Sequence, residues 1–106
     1  MRPVPDHPPT NLTALTTSST SINVTWQPIP PDHAHGIILT YHVKYWRRDK
    51  PDDSVLIATI NGEELQVELK GLGKYKEYCI KVAGSTVAGF GNYSEPVFVR
   101  TRQDGM

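Results

Sequence analysis

The sequence predicts an all-β fold, a seven-stranded antiparallel two-sheet β-sandwich, and three observations carry that prediction. Apolar side chains alternate with polar ones at period two in segment after segment, the spacing that sends successive side chains to opposite faces of a strand. Nine prolines and eight glycines divide the chain into short stretches, with turn signals at the roughly 8–12-residue interval of a sandwich. No stretch repeats apolar residues at helical spacing over three turns.

The strands follow in order. Leu12 and Ala14 mark the first, after the helix-breaking pair Pro8-Pro9. Ser21 to Trp26 forms the second, with Ile22, Val24 and Trp26 on one face and Ser21, Asn23 and Thr25 on the other. In the third, Tyr41, Val43 and Tyr45 point inward and His42, Lys44 and Trp46 outward. Val55 to Ile60 supplies the fourth. Leu65, Val67 and Leu69 form the inward set of the fifth, Tyr78, Ile80 and Val82 that of the sixth, and Val97 and Val99 that of the seventh. Trp26, Tyr41, Val67, Tyr78 and Val97 should therefore meet in one dry interior.

A chain of 106 residues fits one such domain, which buries roughly 60–65% of its unfolded surface and leaves no room for a deep substrate cavity. Eleven basic and eleven acidic side chains cancel, so no overall field draws the chain to nucleic acid or anionic lipid. Charged partners must be met locally. No apolar run approaches the ~20 residues of a membrane span, and Met1 to Pro5 lacks the hydrophobic stretch of a signal peptide. The expectation is an excised module whose signal and membrane anchor lie elsewhere in a parent protein.

Several local motifs fall in a recognisable order. Trp26 ends the second strand and is followed by Pro28 and Pro30-Pro31; Gly36-Ile37-Ile38-Leu39-Thr40-Tyr41-His42-Val43-Lys44-Tyr45 leads into the third. Leu69-Lys70-Gly71-Leu72 precedes Tyr78 by six residues, and Gly89 and Gly91 precede Ser94-Glu95-Pro96-Val97, with the last strand ending at Thr101. In this order the chain resembles the fibronectin type III family over residues 8–101, leaving residues 1–7 as linker and 102–106 as a linker stub. The resemblance implies an immunoglobulin-like topology with the first, second and fifth strands in one sheet and the third, fourth, sixth and seventh in the other. It also implies a tyrosine corner, in which Tyr78 fills the gap between sheets and its hydroxyl meets a backbone group upstream. Gly73-Lys74 departs from the proline that many members carry after the leucine. A single cysteine, Cys79, excludes an internal disulfide and argues against an immunoglobulin domain proper. The linker between Trp26 and Tyr41 looks like those of neural adhesion molecules and receptor tyrosine phosphatases.

Asn11-Leu12-Thr13, Asn23-Val24-Thr25 and Asn92-Tyr93-Ser94 match the N-glycosylation pattern. About 0.6 matches are expected by chance from this composition. Asn11, Asn23 and Asn92 are therefore candidate glycan sites, and Asn23 faces away from Ile22 and Val24 by strand parity. The competing reading is that these are hydrogen-bonding residues of a threonine-rich sandwich. Together with the resemblance, the three patterns imply a cell-surface ectodomain of a single-pass membrane protein.

The outward residues of the second sheet are His42, Lys44, Trp46, Cys79, Lys81, Phe98 and Arg100, with Arg47 and Arg48 continuing from Trp46. Large aromatics among cations suit stacking against an acidic or sulfated partner, a protein or a sulfated glycan. The alternative is a solvated face whose Lys and Arg stems lie over the rings. Lys44, Trp46, Arg47, Lys81, Phe98 and Arg100 are the candidate binding residues, joined by Phe90, which sits between two glycines in the loop that carries an Arg-Gly-Asp tripeptide in some relatives of the family and is expected either to be displayed there for a partner pocket or to fold back on its own loop. Cys79 is expected to be a half-covered, unreactive thiol whose pKa Lys44 and Lys81 lower somewhat; the alternative is pairing with a cysteine of another chain.

Catalytic and cofactor chemistry find little support. His33 and His35 beside Asp32 could hold zinc or copper given a further ligand, but no other histidine or cysteine lies nearby in sequence, and they read as a solvated turn. Gly71-Leu72-Gly73-Lys74 lacks the spacing of a phosphate loop. Asp52-Asp53 and Glu63-Glu64 are adjacent carboxylates whose side chains diverge, and no Ser or Cys has a histidine at nucleophile spacing. The reading is a non-catalytic, cofactor-free module that binds other proteins and spaces neighbouring domains; the alternative is a structural spacer or accessory module without its own ligand.

Overall fold

Period-two alternation becomes strands in two stacked sheets. The computed structural model describes residues 4–52 and 54–103; Asp53 and the outer parts of the two expected linkers, residues 1–3 and 104–106, lie outside the described residues. In chain order the elements are β1 (Thr10–Ser18), β2 (Ser21–Gln27), α1 (Pro31–Ala34), β3 (Thr40–Arg47), β4 (Leu56–Asn61), β5 (Gln66–Leu69), β6 (Glu77–Thr86), β7 (Gly89–Phe90) and β8 (Val97–Arg100). One sheet has the order β1-β2-β5. The other runs β4-β3-β6, with β7 and β8 both pairing with β6. All pairings are antiparallel.

This is the sandwich that the sequence predicts and the sheet partition that the resemblance implies, with β8 as the expected seventh strand. Two elements were not expected. The two-residue strand β7 hydrogen-bonds with the end of β6, across a turn that Gly89 closes at φ 130°, a conformation open to glycine and costly for other residues. The single helical turn α1 begins with Pro31, whose fixed φ suits the first helical position and whose missing N–H costs nothing there.

Ile22, Val24, Trp26, Tyr41, Val43, Ile80 and Val82 are all at most 1% exposed and form the centre of the interior. Trp26 and Tyr41 pack with ring centroids 5.3 Å apart and planes tilted by 60°, within the range preferred by aromatic pairs. Val67 and Val97, both half-buried, pack against this cluster from β5 and β8.

The corner between sheets is closed by hydrogen bonds. The Gly73 N–H donates to the Tyr78 hydroxyl at 2.8 Å, and the buried Thr101 hydroxyl donates to the Gly73 carbonyl at 2.7 Å while accepting the Lys76 N–H at 2.9 Å. Thr101 thus ties the end of β8 to the turn that Tyr78 braces.

The N-terminal segment is part of the packed structure. Pro5 is fully buried, and the Asp6 N–H donates to the His33 carbonyl at 2.9 Å. Residues 5–7, placed in a linker on sequence grounds, lie against α1.

Candidate partner-binding surface

The register of the larger sheet assembles its outer face. Lys44 lies opposite Lys81, Trp46 opposite Cys79, and on the far side of β6 Cys79 faces Phe98 and Glu77 faces Arg100. Lys44, Trp46, Lys81, Phe98 and Arg100 are therefore brought together as expected from parity. The cations lie over rings: Lys81 Nζ is 5.8 Å from the Trp46 centroid, Arg48 is 4.9 Å from Phe98, Lys44 Nζ is 5.6 Å from Tyr93, and Arg100 is 4.9 Å from Tyr75. These are cation–π contacts within the ~6 Å reach of the ring quadrupole. Glu77 accepts a hydrogen bond from Arg48 at 3.1 Å.

Three placements differ from expectation. Arg47 shares the parity of Tyr41, Val43 and Tyr45 and so leaves the outer face; its guanidinium makes a two-pronged pair with Asp49 at 3.1 and 3.0 Å. That partner holds the Asp49 carboxyl below its ordinary range. Phe90 is not displayed at a loop tip. It sits in β7 with its ring 4.2 Å from that of His42, at the margin of the same face, while Val87 is 68% exposed at the turn.

Cys79 faces outward yet is only 4% exposed, because the large side chains of Trp46 and Phe98 stand on either side of it in register. Burial pushes its thiol above the ordinary range; the pull of Arg48 and Lys81 is smaller, and Glu77 opposes it. The expectation of a half-covered thiol with a lowered pKa is corrected on both counts, since desolvation disfavours the thiolate.

Parity also missed participants. Ile57 lies opposite Lys44 on β4 and is 53% exposed, while Tyr75 and Tyr93 reach the face from turns. Ile57 was legible from its pairing only once β4 had a register. The two tyrosines carry no periodic signal.

The three candidate glycan sites are dispersed. Asn11 is exposed at a register shift near the start of β1, with φ 54°. Asn23 is half-buried on the outer face of the smaller sheet, opposite Leu15 and Glu68. Asn92 is exposed after β7. The hydroxyls completing these patterns have structural work: Thr13 and Thr25 hydrogen-bond each other at 2.5 Å, and Ser94 accepts the Val82 N–H at 3.0 Å.

Asp32, expected to accompany His33 and His35, does not join them. Asp6 does. Its Oδ1 lies 2.9 Å from His7 Nδ1 and 3.0 Å from His33 Nδ1, and its Oδ2 lies 2.9 Å from His35 Nε2. Hydrogen bonds from these imidazoles, His35 first, hold the Asp6 carboxyl far below its ordinary range.

The model of the family described as "Fibronectin type III domain" matches residues 7–100. The chain belongs to the fibronectin type III family. Domains of this family are generally non-catalytic modules. This fibronectin type III domain is 37% identical over 101 residues to the human cell adhesion molecule DSCAM, covering 95% of this chain and 5% of that protein. It is 39% identical over 101 residues to the mouse receptor-type tyrosine-protein phosphatase F, covering 94% of this chain and 5% of that one. The chain thus spans about 5% of the length of these curated relatives. The solution structure of the third fibronectin III domain of the human KIAA0343 protein shares its fold at a TM-score of 0.90 and 22% identity, over 100% of this chain and 90% of that one.

Proposed function

We propose that this fibronectin type III domain is a protein-interaction and spacing unit in the extracellular part of a cell-surface adhesion or receptor protein, anchored by a single membrane span elsewhere in the parent. The observation that carries the proposal is the outer face of the larger sheet. On a chain without net charge, Lys44, Lys81, Arg48 and Arg100 are gathered over Trp46, Phe98, Tyr75 and Tyr93. Half-buried and exposed cations held over aromatic rings can anchor acidic groups, so the partner is an acidic protein surface or a sulfated glycan. Phe90 borders this face; Arg47 belongs outside it.

The three asparagine patterns and the adhesion and receptor-type relatives support an extracellular address. A glycan at Asn23 would cover the smaller sheet and leave the larger one to the partner. The test is capture of cell-surface partners by the glycosylated, multimerised domain. Binding that falls with Trp46→Ala, Arg100→Ala or Phe90→Ala supports the face, and equal binding by all three removes it. Loss of capture after enzymatic removal of sulfated glycans identifies that partner class. A glycosidase mass shift in secreted material is expected, and its absence would remove the glycoprotein reading.

The same cation–ring contacts also favour a second reading, a spacer without its own ligand. Each cation already has a ring beneath it, and the described chain is elongated, 49 × 25 × 18 Å.

A further inference from the structure

The side chains of Asp6, His7, His33 and His35 converge at the end of the sandwich where β2 leaves for α1, although 26 positions separate His7 from His33. The backbone makes the meeting. The Asp6 N–H is bonded to the His33 carbonyl at 2.9 Å, and Pro5 is buried beneath, so the carboxylate is delivered to α1 by a fixed path. His7 and His33 then stack with ring centroids 3.7 Å apart. One donor atom each from Asp6, His7 and His33 lie within 4.8 Å of one another, and His35 Nε2 approaches the second carboxylate oxygen at 2.9 Å.

We infer that Asp6, His7, His33 and His35 form a binding site for a divalent transition metal of the zinc class, which clips the N-terminal segment to α1. Three imidazole nitrogens and a carboxylate are the donors of Zn²⁺, and the nitrogen majority excludes Ca²⁺ and Mg²⁺, which take oxygen. Bond lengths of about 2.0–2.2 Å to a tetrahedral zinc place ligand atoms roughly 3.3–3.5 Å apart. The present separations of 2.9 and 3.0 Å from Asp6 Oδ1 to His7 Nδ1 and His33 Nδ1 need to open by a few tenths of an ångström, and His35, now 2.9 Å from the other carboxylate oxygen, has to swing in as the fourth ligand. The metal would replace imidazole hydrogen bonds to the carboxylate with direct bonds. The Asp6 N–H to His33 contact remains as the outer support that keeps both ligands in place.

The experiment is titration of Zn²⁺ into the tag-free, EDTA-treated chain at neutral pH, followed by calorimetry and by the NMR signals of the four histidines. One ion per chain is expected, with shifts at His7, His33 and His35 and none at His42, together with a raised thermal midpoint. His33→Ala and Asp6→Ala should each weaken binding by about tenfold or more; Asp32→Ala and Cys79→Ser should leave it unchanged. Asp6, Asp32 and His33 are exposed or half-exposed and Cys79 is buried, and circular dichroism verifies that each variant folds. Absence of saturable binding would overturn the site, as would binding that survives a His7→Ala/His33→Ala double variant or is lost in Cys79→Ser.

Discussion

Tyr78 and Trp26 do different work within the same interior. The Tyr78 ring fills the corner while its hydroxyl accepts the Gly73 N–H at 2.8 Å. Tyr78→Phe should therefore cost about 1 kcal/mol, the net value of one hydrogen bond with its donor left unmet. Trp26→Ala should cost about 3–5 kcal/mol through cavity formation, as measured by equilibrium denaturation. The indole N–H of Trp26 has no hydrogen-bond partner among the described residues. Trp26→Phe should thus cost clearly less than the alanine substitution, because it surrenders volume but no polar contact. Cys79 supplies the pH dependence. Burial raises its folded-state pKa, so the stabilisation linked to its protonated form is full below the unfolded thiol's pKa and is lost as pH rises through the folded one. Denaturation midpoints of the wild type should fall along that alkaline limb, and those of Cys79→Ser should fall less steeply.

Strand parity made most of the two sheets legible. It separated Ile22, Val24 and Trp26 from Asn23, and Val43 from Lys44, because in a half-buried strand the period is the fold. It failed where outward is not the same as exposed: Trp46 and Phe98 flank Cys79 and cover it. Parity also held the correct place for Arg47, which its position next to Trp46 obscured. Trp46→Ala should accordingly do two things at once, destabilise by about 1 kcal/mol and speed labelling of Cys79 by a thiol reagent. Arg100→Ala, at an exposed strand end, should change stability by under about 0.5 kcal/mol. A labelling rate unchanged in Trp46→Ala would mean that the indole is not the cover.

Across the whole molecule the contacts that matter join distant parts of the chain. β1 meets β8, and β3 bridges β4 and β6. A sandwich of such non-local pairings should refold in milliseconds to seconds after dilution from denaturant, and a stopped-flow trace finished within microseconds would contradict the topology. The same non-locality explains what no sequence pattern announced. Asp6 and His7 reach His33 and His35 only because the chain doubles back across α1, and a motif scan near position 33 has no means of finding a carboxylate at position 6. That doubling back has a further effect. A Cβ at position 91 would lie 2.5 Å from the Pro5 carbonyl oxygen, so the returning segment and the loop after β7 are keyed together by the bareness of Gly91. Anyone grafting foreign peptides or randomised libraries onto this end of the scaffold can vary the exposed Val87. Randomising Gly91, or swapping the residues that precede Pro8, would unseat both at once.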